Sequence, residues 1–285
     1  MIAVYGGLIA ASCWGISTNL AGASARQIGP ASTLAWVGIA GIVLMTPIVG
    51  WYGIPAGVTW WDGLLVLVGA VGSVVGLRMT YAALARGKVG VVVAITSTEG
   101  AIAAVIAIVL GESIGWPAAL GIVLATLGVA AVGLGRHVDD SHEMVRDNRR
   151  AGVTATGAAL TFGSSLYVSG DVAQRVGPPW VVFGARLLGV LIIAIPLLLR
   201  RELQVARPGI YLACIAGLLE CVGFLGFLWG ASAGIAVAAV LATQYATIAT
   251  LISWIVLHER LSRVQLGGLA TVVVGVVLLS VASSI

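Results

Sequence analysis

"IVLGE" at residues 108–112 and "IVLHE" at residues 255–259 are nearly the same pentapeptide, written twice at a distance of 147 residues. Each copy ends a long apolar run with a glutamate. Displacements of 147 or 148 also align glycines, Gly-Pro pairs and aromatic-glycine pairs in the two halves: Gly121 with Gly268, Gly128 with Gly275, 29–30 with 177–178, and Trp14-Gly15 with Phe162-Gly163. The alignments extend over both halves, so the sequence predicts two copies of one structural unit.

The composition predicts a membrane protein. Hydrophobic residues make up 60% of the chain and charged residues only 9%, whereas soluble domains carry about 25% charged residues. The net charge of +4 lies mostly in short connections and forms no basic stripe, so no nucleic-acid partner is expected. The three cysteines lie in apolar segments at a spacing that fits no metal site, and neither a metal nor a cofactor is expected.

A membrane-crossing helix needs about 20 mostly apolar residues. Ten segments meet this requirement: 2–22, 31–50, 62–84, 89–110, 115–134, 152–171, 179–199, 209–230, 234–257 and 263–283. The first segment lacks the basic start and the cleavage site of a signal peptide, so we expect it to be retained. The sequence therefore predicts an all-α integral membrane protein with ten transmembrane helices.

A long polar stretch, "GRHVDDSHEMVRDNRR" at 135–150, separates five segments from five. The predicted organisation is a first five-helix repeat at 1–135, a polar linker at 136–151 and a second five-helix repeat at 152–285. Because five is odd, the second repeat enters the membrane in the opposite direction, which predicts the inverted repeat that is common in secondary transporters. The metal-capable side chains of the linker are interpreted as solvated: His137, Asp139, Asp140, His142 and Glu143.

The repeated glutamates fall in short turns after the fourth and ninth segments. Gly111 is expected to end the fourth helix in a left-handed conformation. Glu112 would then lie beside the positive N-terminal end of the fifth helix, and Glu259 beside that of the tenth. This structural role is favoured over a direct contact with a substrate.

The duplicated motif resembles a known family. "STEGAIAAVIAIVLGE" at 97–112 and "ATQYATIATLISWIVLHE" at 242–259 resemble the two copies of the signature of the EamA-like branch of the drug/metabolite transporter superfamily, and "SCWGIS" at 12–17 resembles its first span. The likeness covers essentially the whole chain. It implies export or facilitated passage of amino acids or similar metabolites across the cytoplasmic membrane.

Four ionisable residues lie deep inside predicted spans, at about 10 to 16 Å from the nearer end at a helical rise of about 1.5 Å per residue. They are Arg78, Glu99, Arg186 and Glu220. Such residues are costly in a bilayer and are functional candidates. Two interpretations stay open: two structural ion pairs, Arg78–Glu99 and Arg186–Glu220, or groups facing a central cavity. In the second, an arginine binds a substrate carboxylate and a glutamate carries a proton or binds an amine.

Polar and aromatic residues at similar depth complete the set of substrate candidates. Gln244 and Tyr245 occupy the part of the ninth helix that matches the surroundings of Glu99 in the fourth. The other candidates are Trp14, Asn19 and Tyr167. The alternative for each is helix packing or a hydrogen bond between helices.

The positive charges predict an orientation. The connections after odd-numbered helices hold twelve Lys and Arg residues, whereas the opposite side holds only Arg175. Because positively charged loops stay in the cytoplasm, the count predicts that both termini lie outside. The family resemblance implies the reverse, and we follow the charge count.

These features predict a secondary transporter that moves small organic metabolites by alternating access. A lipid or lipid-linked metabolite flippase is the alternative. A membrane-embedded enzyme is not favoured, because the sequence contains no metalloprotease motif, nucleophile elbow or phosphate-binding loop. Proton coupling, the substrate, the direction of transport and a homo-oligomeric state are left open.

Overall fold

The computed structural model describes residues 1–84, 92, 95–134, 142–257 and 262–282. In these residues the backbone is almost wholly helical, and the predicted fold class is confirmed: an all-α membrane protein with two five-helix repeats. The helices are α1 Ile2–Ile28, α2 Pro30–Tyr52, α3 Trp60–Leu84, α4 Glu99–Val109, α5 Trp116–Leu134, α6 His142–Val176, α7 Pro178–Leu199 with a π-helical stretch at Val190–Ala194, α8 Arg207–Ala231, α9a Ile235–Ala242, α9b Tyr245–Leu257 and α10 Arg263–Ala282.

The outside of the bundle is apolar, as a bilayer requires. By length and composition alone, α2, α3, α7, α8 and α10 could each cross a membrane. Trp51, Trp60 and Trp61 are exposed where α2 ends and α3 begins. Aromatic residues at this height are typical of the membrane interface.

The Gly-Pro pairs separate the first two helices of each repeat in the same way. Gly29 has a φ of 77° between α1 and α2, and Gly177 has a φ of 84° between α6 and α7. Glycine adopts this conformation without the penalty of a Cβ, and the following Pro30 or Pro178 suits the first turn of the next helix. α6 begins at His142, within the predicted linker. Residues 136–141 of the linker lie outside the described residues.

The repeats pack through contacts that the duplication relates to one another. α1 packs along α8, and α6 packs along α3. Trp14 lies over Gly223, where an added Cβ would stand 2.7 Å from the indole Nε1. Phe162 lies over Gly76, where an added Cβ would stand 2.8 Å from the ring. Trp14 aligns with Phe162 and Gly223 with Gly76, so the same contact is made twice.

A serine contact is repeated in the same two interfaces. Ser17 Oγ donates to the backbone oxygen of Ala216 at 3.2 Å. Ser165 Oγ donates to the backbone oxygen of Gly69 at 2.6 Å. The donors align at a displacement of 148 and the acceptors at 147, so the two halves hold their helix pairs with equivalent hydrogen bonds.

α5 and α10 cross at four glycines. A Cβ added to Gly128 would stand 2.9 Å from the carbonyl oxygen of Gly268, and a Cβ added to Gly275 would stand 2.9 Å from that of Gly121. Small residues allow membrane helices to approach this closely. Gly121 therefore packs against Gly275 and Gly128 against Gly268, and the alignment of the repeats converts one of these contacts into the other.

Two predicted spans contain an interruption that the sequence analysis did not predict. In the ninth span, a turn at Thr243 and Gln244 separates α9a from α9b. In the fourth span, a turn at Ser97 and Thr98 directly precedes α4, which begins at Glu99. The interruptions lie at corresponding places in the two repeats.

Side chains stabilise both turns. Thr98 Oγ1 donates to the backbone oxygen of Ile95 at 2.7 Å, and Thr243 Oγ1 donates to that of Val240 at 2.9 Å. Gln244 Nε2 also donates to Val240, at 3.1 Å. Backbone groups inside a membrane need such partners wherever a helix is broken.

Candidate functional site

The interruptions place an acid and a phenol at corresponding positions. Glu99 is the first residue of α4, and Tyr245 is the first residue of α9b. Glu99 is 6% exposed. Tyr245 lies close enough to Glu99 and to Glu220 to interact electrostatically with both carboxylates. Among the described residues, the Glu99 side chain has no hydrogen bond or ion pair.

Trp14 of α1 forms the centre of an aromatic cluster beside these groups. Its ring centroid lies 6.3 Å from that of Phe224, 6.4 Å from that of Phe227 and 6.4 Å from that of Tyr245. The indole Nε1 donates to the backbone oxygen of Glu220 at 3.4 Å. An apolar wall with a few polar groups is the usual composition of a small-molecule site.

Arg186 of α7 and Glu220 of α8 form the predicted ion pair. Nη2 of Arg186 lies 3.5 Å from Oε2 of Glu220, and the two side chains are 16% and 31% exposed. Ser17 Oγ lies 3.0 Å from the other carboxylate oxygen, Oε1, and shares its single proton between this oxygen and the backbone oxygen of Ala216. The Nε of Arg186 is buried and has no hydrogen-bond partner in the described part of the chain.

The second predicted ion pair, Arg78 with Glu99, is not formed, and that prediction is wrong. Arg78 is exposed on α3 together with Val71 and Val75, on the side of the helix opposite to the packed Gly76. Glu99 is buried at the interruption. An arginine on a lipid-facing stripe extends towards the head groups instead.

The two predicted amides hold helices together. Asn19 Nδ2 donates to the backbone oxygen of Ala249 in α9b at 3.5 Å. Gln244 Nε2 donates to Ala125 of α5 at 3.4 Å as well as to Val240. Both amide nitrogens therefore support the frame around the site.

The carboxylate of Glu112 hydrogen-bonds the start of α9a, a helix that the sequence analysis did not name as its partner. The carboxylate accepts hydrogen bonds from the N–H groups of Ile235 at 3.0 Å and Ala236 at 3.1 Å. These groups form the N-terminus of α9a, so Glu112 of the first repeat caps a helix of the second repeat. A carboxylate at this position is favoured by the helix dipole. Glu259 lies outside the described residues.

The expected left-handed end of the fourth helix is confirmed. Gly111 has a φ of 108°, and its N–H donates to Ile108 at 3.1 Å. The N–H of Glu112 donates to Ala107 at 2.9 Å. This is a Schellman motif, and it directs the Glu112 side chain towards α9a.

A second polar contact joins the repeats at the same membrane face, which we call the Glu112 face. Arg175 of α6 binds Asp62 of α3, with Nε 2.6 Å from Oδ1, and Asp171, with Nη2 2.9 Å from Oδ2. Tyr167 interacts electrostatically with Asp171, Glu112 and Arg175. Tyr167 therefore lies towards the Glu112 face.

The structure brings Trp14, Arg186, Glu220 and Tyr245 into contact with one another. Glu99 acts on Tyr245 electrostatically, and we call these five residues the central cluster. Sequence analysis missed Phe224 and Phe227 as neighbours of this cluster. Their spacing could have shown them, because residues four and seven positions after Glu220 lie on the same face of a helix.

The inverted repeat, the two interrupted helices and the charged residues between them define a membrane transporter of small molecules. The chain belongs to the EamA-like transporter family, whose model matches residues 1–134 and 150–281. A crystal structure of another protein is similar over 99% of this chain and 97% of its own, with a TM-score of 0.78 at 18% sequence identity. At that identity the likeness shows the fold alone. A comparison with curated proteins finds no significant match.

Proposed function

We propose that this transporter moves amino acids or closely related metabolites across the cytoplasmic membrane, by export or facilitated passage. The observation that carries the proposal is the central cluster at the two helix interruptions. It combines a positive group, two carboxylates and an aromatic wall. A zwitterion with an organic side chain complements these three features.

Alternating access would follow from a rocking motion of one repeat against the other. The equivalent contacts of α1 with α8 and of α6 with α3 support this mechanism, because each half offers the other the same kind of interface. The Glu112 face is joined by two polar contacts between the repeats. Opening of this face requires both contacts to separate.

Glu99 is the residue that we propose for proton coupling. It is buried at the start of α4. Without a partner among the described residues, its carboxylate can gain or lose a proton without breaking an ion pair. Coupling then requires that Glu99 carry one proton each time the transporter moves a substrate molecule across the membrane.

The test is flux of a labelled amino-acid mixture into liposomes that contain the purified protein, with and without a pH gradient. We expect the gradient to accelerate flux in the wild type. Glu99→Gln should abolish the acceleration, because an amide cannot exchange a proton. Glu202→Gln is the matched control, because Glu202 is exposed in the connection before α8.

Gradient-independent flux that Glu99→Gln leaves unchanged would contradict the coupling role. Absence of flux for every amino acid would contradict the substrate class. A flippase would need a polar path that opens to lipid. The groove between α2 and α8, about 520 Å³ in volume, is lined by apolar residues and Cys214, which suits an acyl chain better than a head group.

A further inference from the structure

The two repeats make equivalent helix contacts, but they differ at the position of Glu220. Ser17 Oγ donates to Glu220 Oε1 at 3.0 Å. In the other half, the equivalent contact joins Ser165 Oγ and Ser73 Oγ at 2.8 Å, and Ser73 aligns with Glu220 at a displacement of 147. A serine is therefore sufficient for packing at this position. The carboxylate of Glu220 serves another purpose.

Arg186 is also present in one half only, and the protein makes room for it. At a displacement of 148 its counterpart in α2 is Gly38. A Cβ added to Gly41 would stand 2.7 Å from Cδ of Arg186 and 3.0 Å from Sγ of Cys221. The arginine stem thus lies directly on the backbone of α2. Gly41 positions the guanidinium.

One edge of the Arg186 guanidinium has two hydrogen-bond donors, and only one of them has a partner among the described residues. Nε and Nη2 are the two donors on that edge, and together they fit the two oxygens of a carboxylate. Nη2 has a long contact of 3.5 Å to Glu220. Nε is buried without a hydrogen bond to the described residues, and the neighbouring Cys221 thiol is only a weak partner for the guanidinium. A buried donor without a partner is unfavourable and calls for an explanation.

We propose that Nε and Nη2 of Arg186 bind the carboxylate of the substrate, and that Glu220 is an internal counter-ion that the substrate displaces. The proposal rests on the proposed function, because it concerns the same site. In the empty transporter Glu220 neutralises Arg186 through one long contact. A substrate carboxylate forms two short contacts, and Glu220 keeps its hydrogen bond to Ser17. Glu220 thereby competes with every anionic ligand.

This arrangement selects for ligands that carry a carboxylate. Separating Arg186 from Glu220 costs free energy that a ligand without a carboxylate does not offset. The amine or alcohol with the same carbon skeleton therefore binds weakly. A mobile counter-ion also avoids an uncompensated charge in the empty site, which would be costly inside a membrane.

The first measurement is the thermal unfolding of the purified protein in the presence of butyrate, with butylammonium at equal ionic strength as the comparison. A ligand that binds only the native state stabilises it by RT ln(1 + L/Kd), where L is the free ligand concentration, so the unfolding temperature rises with the ligand concentration and with the affinity. Glu220→Ser removes the competitor and reproduces the serine of the other half. We expect it to bind butyrate about tenfold more tightly, the equivalent of one charge-assisted hydrogen bond.

The double variant Arg186→Gln, Glu220→Ser should show no stabilisation by butyrate. It leaves no unpaired charge, so it tests the loss even where Arg186→Gln alone fails to fold. Gly41→Ala should weaken butyrate binding by displacing Arg186. Gly50→Ala is its control on the same helix, because nothing lies within 4 Å of a Cβ added there.

Equal stabilisation of the wild type and the double variant by butyrate would overturn the proposal. Failure of Glu220→Ser to bind butyrate more tightly would overturn it too, and so would absence of butyrate binding in every variant. If butyrate binds as expected while no amino acid is transported, the result supports the carboxylate site at Arg186 and contradicts amino acids as the substrate class. If the double variant still transports amino acids at the wild-type rate, the result contradicts the carboxylate site at Arg186 and supports amino acids as the substrate class.

Discussion

At the scale of single residues, Glu112 shows how the duplicated motif acts. Its side chain crosses from the first repeat to the second and accepts hydrogen bonds from the first N–H groups of α9a. Gly234 precedes these groups with a φ of 156°. The glutamate therefore links the end of one interrupted span to the beginning of the other.

Glu112→Ala should lower the free energy of unfolding by about 1 to 2 kcal/mol, the usual effect of removing a helix cap. The reason is that the N–H groups of Ile235 and Ala236 lose their acceptor. Equilibrium unfolding in mixed detergent micelles measures the change.

The control for this prediction is Glu202→Ala, which removes an exposed carboxylate and should have little effect. Equal unfolding free energies for Glu112→Ala and the wild type would contradict the capping role.

The chemical type of most central residues could be predicted from the sequence, but their partners could not. Charges inside apolar segments are visible in one dimension, so Arg186, Glu220 and Glu99 were candidates. Whether Arg78 meets Glu99 depends on the rotation of α3 and α4 about their axes. The close packing of α3 against α6 sets that rotation, and the sequence does not show which helices will be neighbours.

At the scale of helices, the α5–α10 crossing depends on the glycines that align between the repeats. Gly268 lies in the contact, where an added Cβ would stand 2.8 Å from both the carbonyl oxygen of Gly128 and the backbone nitrogen of Val132. The adjacent Gly267 has nothing within 4 Å of an added Cβ.

Gly268→Ala should therefore destabilise the protein by about 1 to 3 kcal/mol, because backbone atoms must move to admit the methyl group. The same unfolding measurement applies. Gly267→Ala is a control on the same helix with the same chemical change, and it should be neutral or slightly stabilising.

Equal effects of the two substitutions would show that α5 and α10 do not cross at these glycines. The i and i+7 spacing in both helices was visible in the sequence. The register of the crossing, Gly128 against Gly268, was not, because two helices with two glycines each can pair in more than one way.

The interruptions of the fourth and ninth spans also escaped prediction. Neither turn contains glycine or proline, the usual signals of a broken helix. Thr98, Thr243 and Gln244 accept the broken geometry because their side chains bond nearby carbonyl groups. The same residue types occur in continuous membrane helices, so composition does not distinguish the two cases.

At the scale of the whole molecule, the distribution of positive charge sets the expected orientation. Arg175, the one cationic side chain on the side with few positive charges, binds both Asp62 and Asp171. Its charge is therefore neutralised within the protein. On the other side, Arg26, Arg150, Arg200, Arg201, Arg207 and Arg263 are exposed.

We expect both termini to lie outside the cytoplasm. A reporter enzyme that is active only outside should be active when fused after residue 285, and inactive when inserted between Arg201 and Glu202. A fluorescent protein that matures only in the cytoplasm should give the opposite pattern. Cytoplasmic fluorescence of the C-terminal fusion would refute this orientation.

The sequence by itself determined the membrane environment, the ten helical spans and the duplication into two inverted repeats. These properties follow from composition, segment length and the alignment of the chain with itself, all of which are linear. Only the tertiary structure decided that Glu112 caps α9a, that Arg186 pairs with Glu220 while Arg78 faces outward, and that both interrupted helices meet the central cluster. These contacts join distant parts of the chain, and several cross between the repeats, so they depend on how the helices pack rather than on the segments alone.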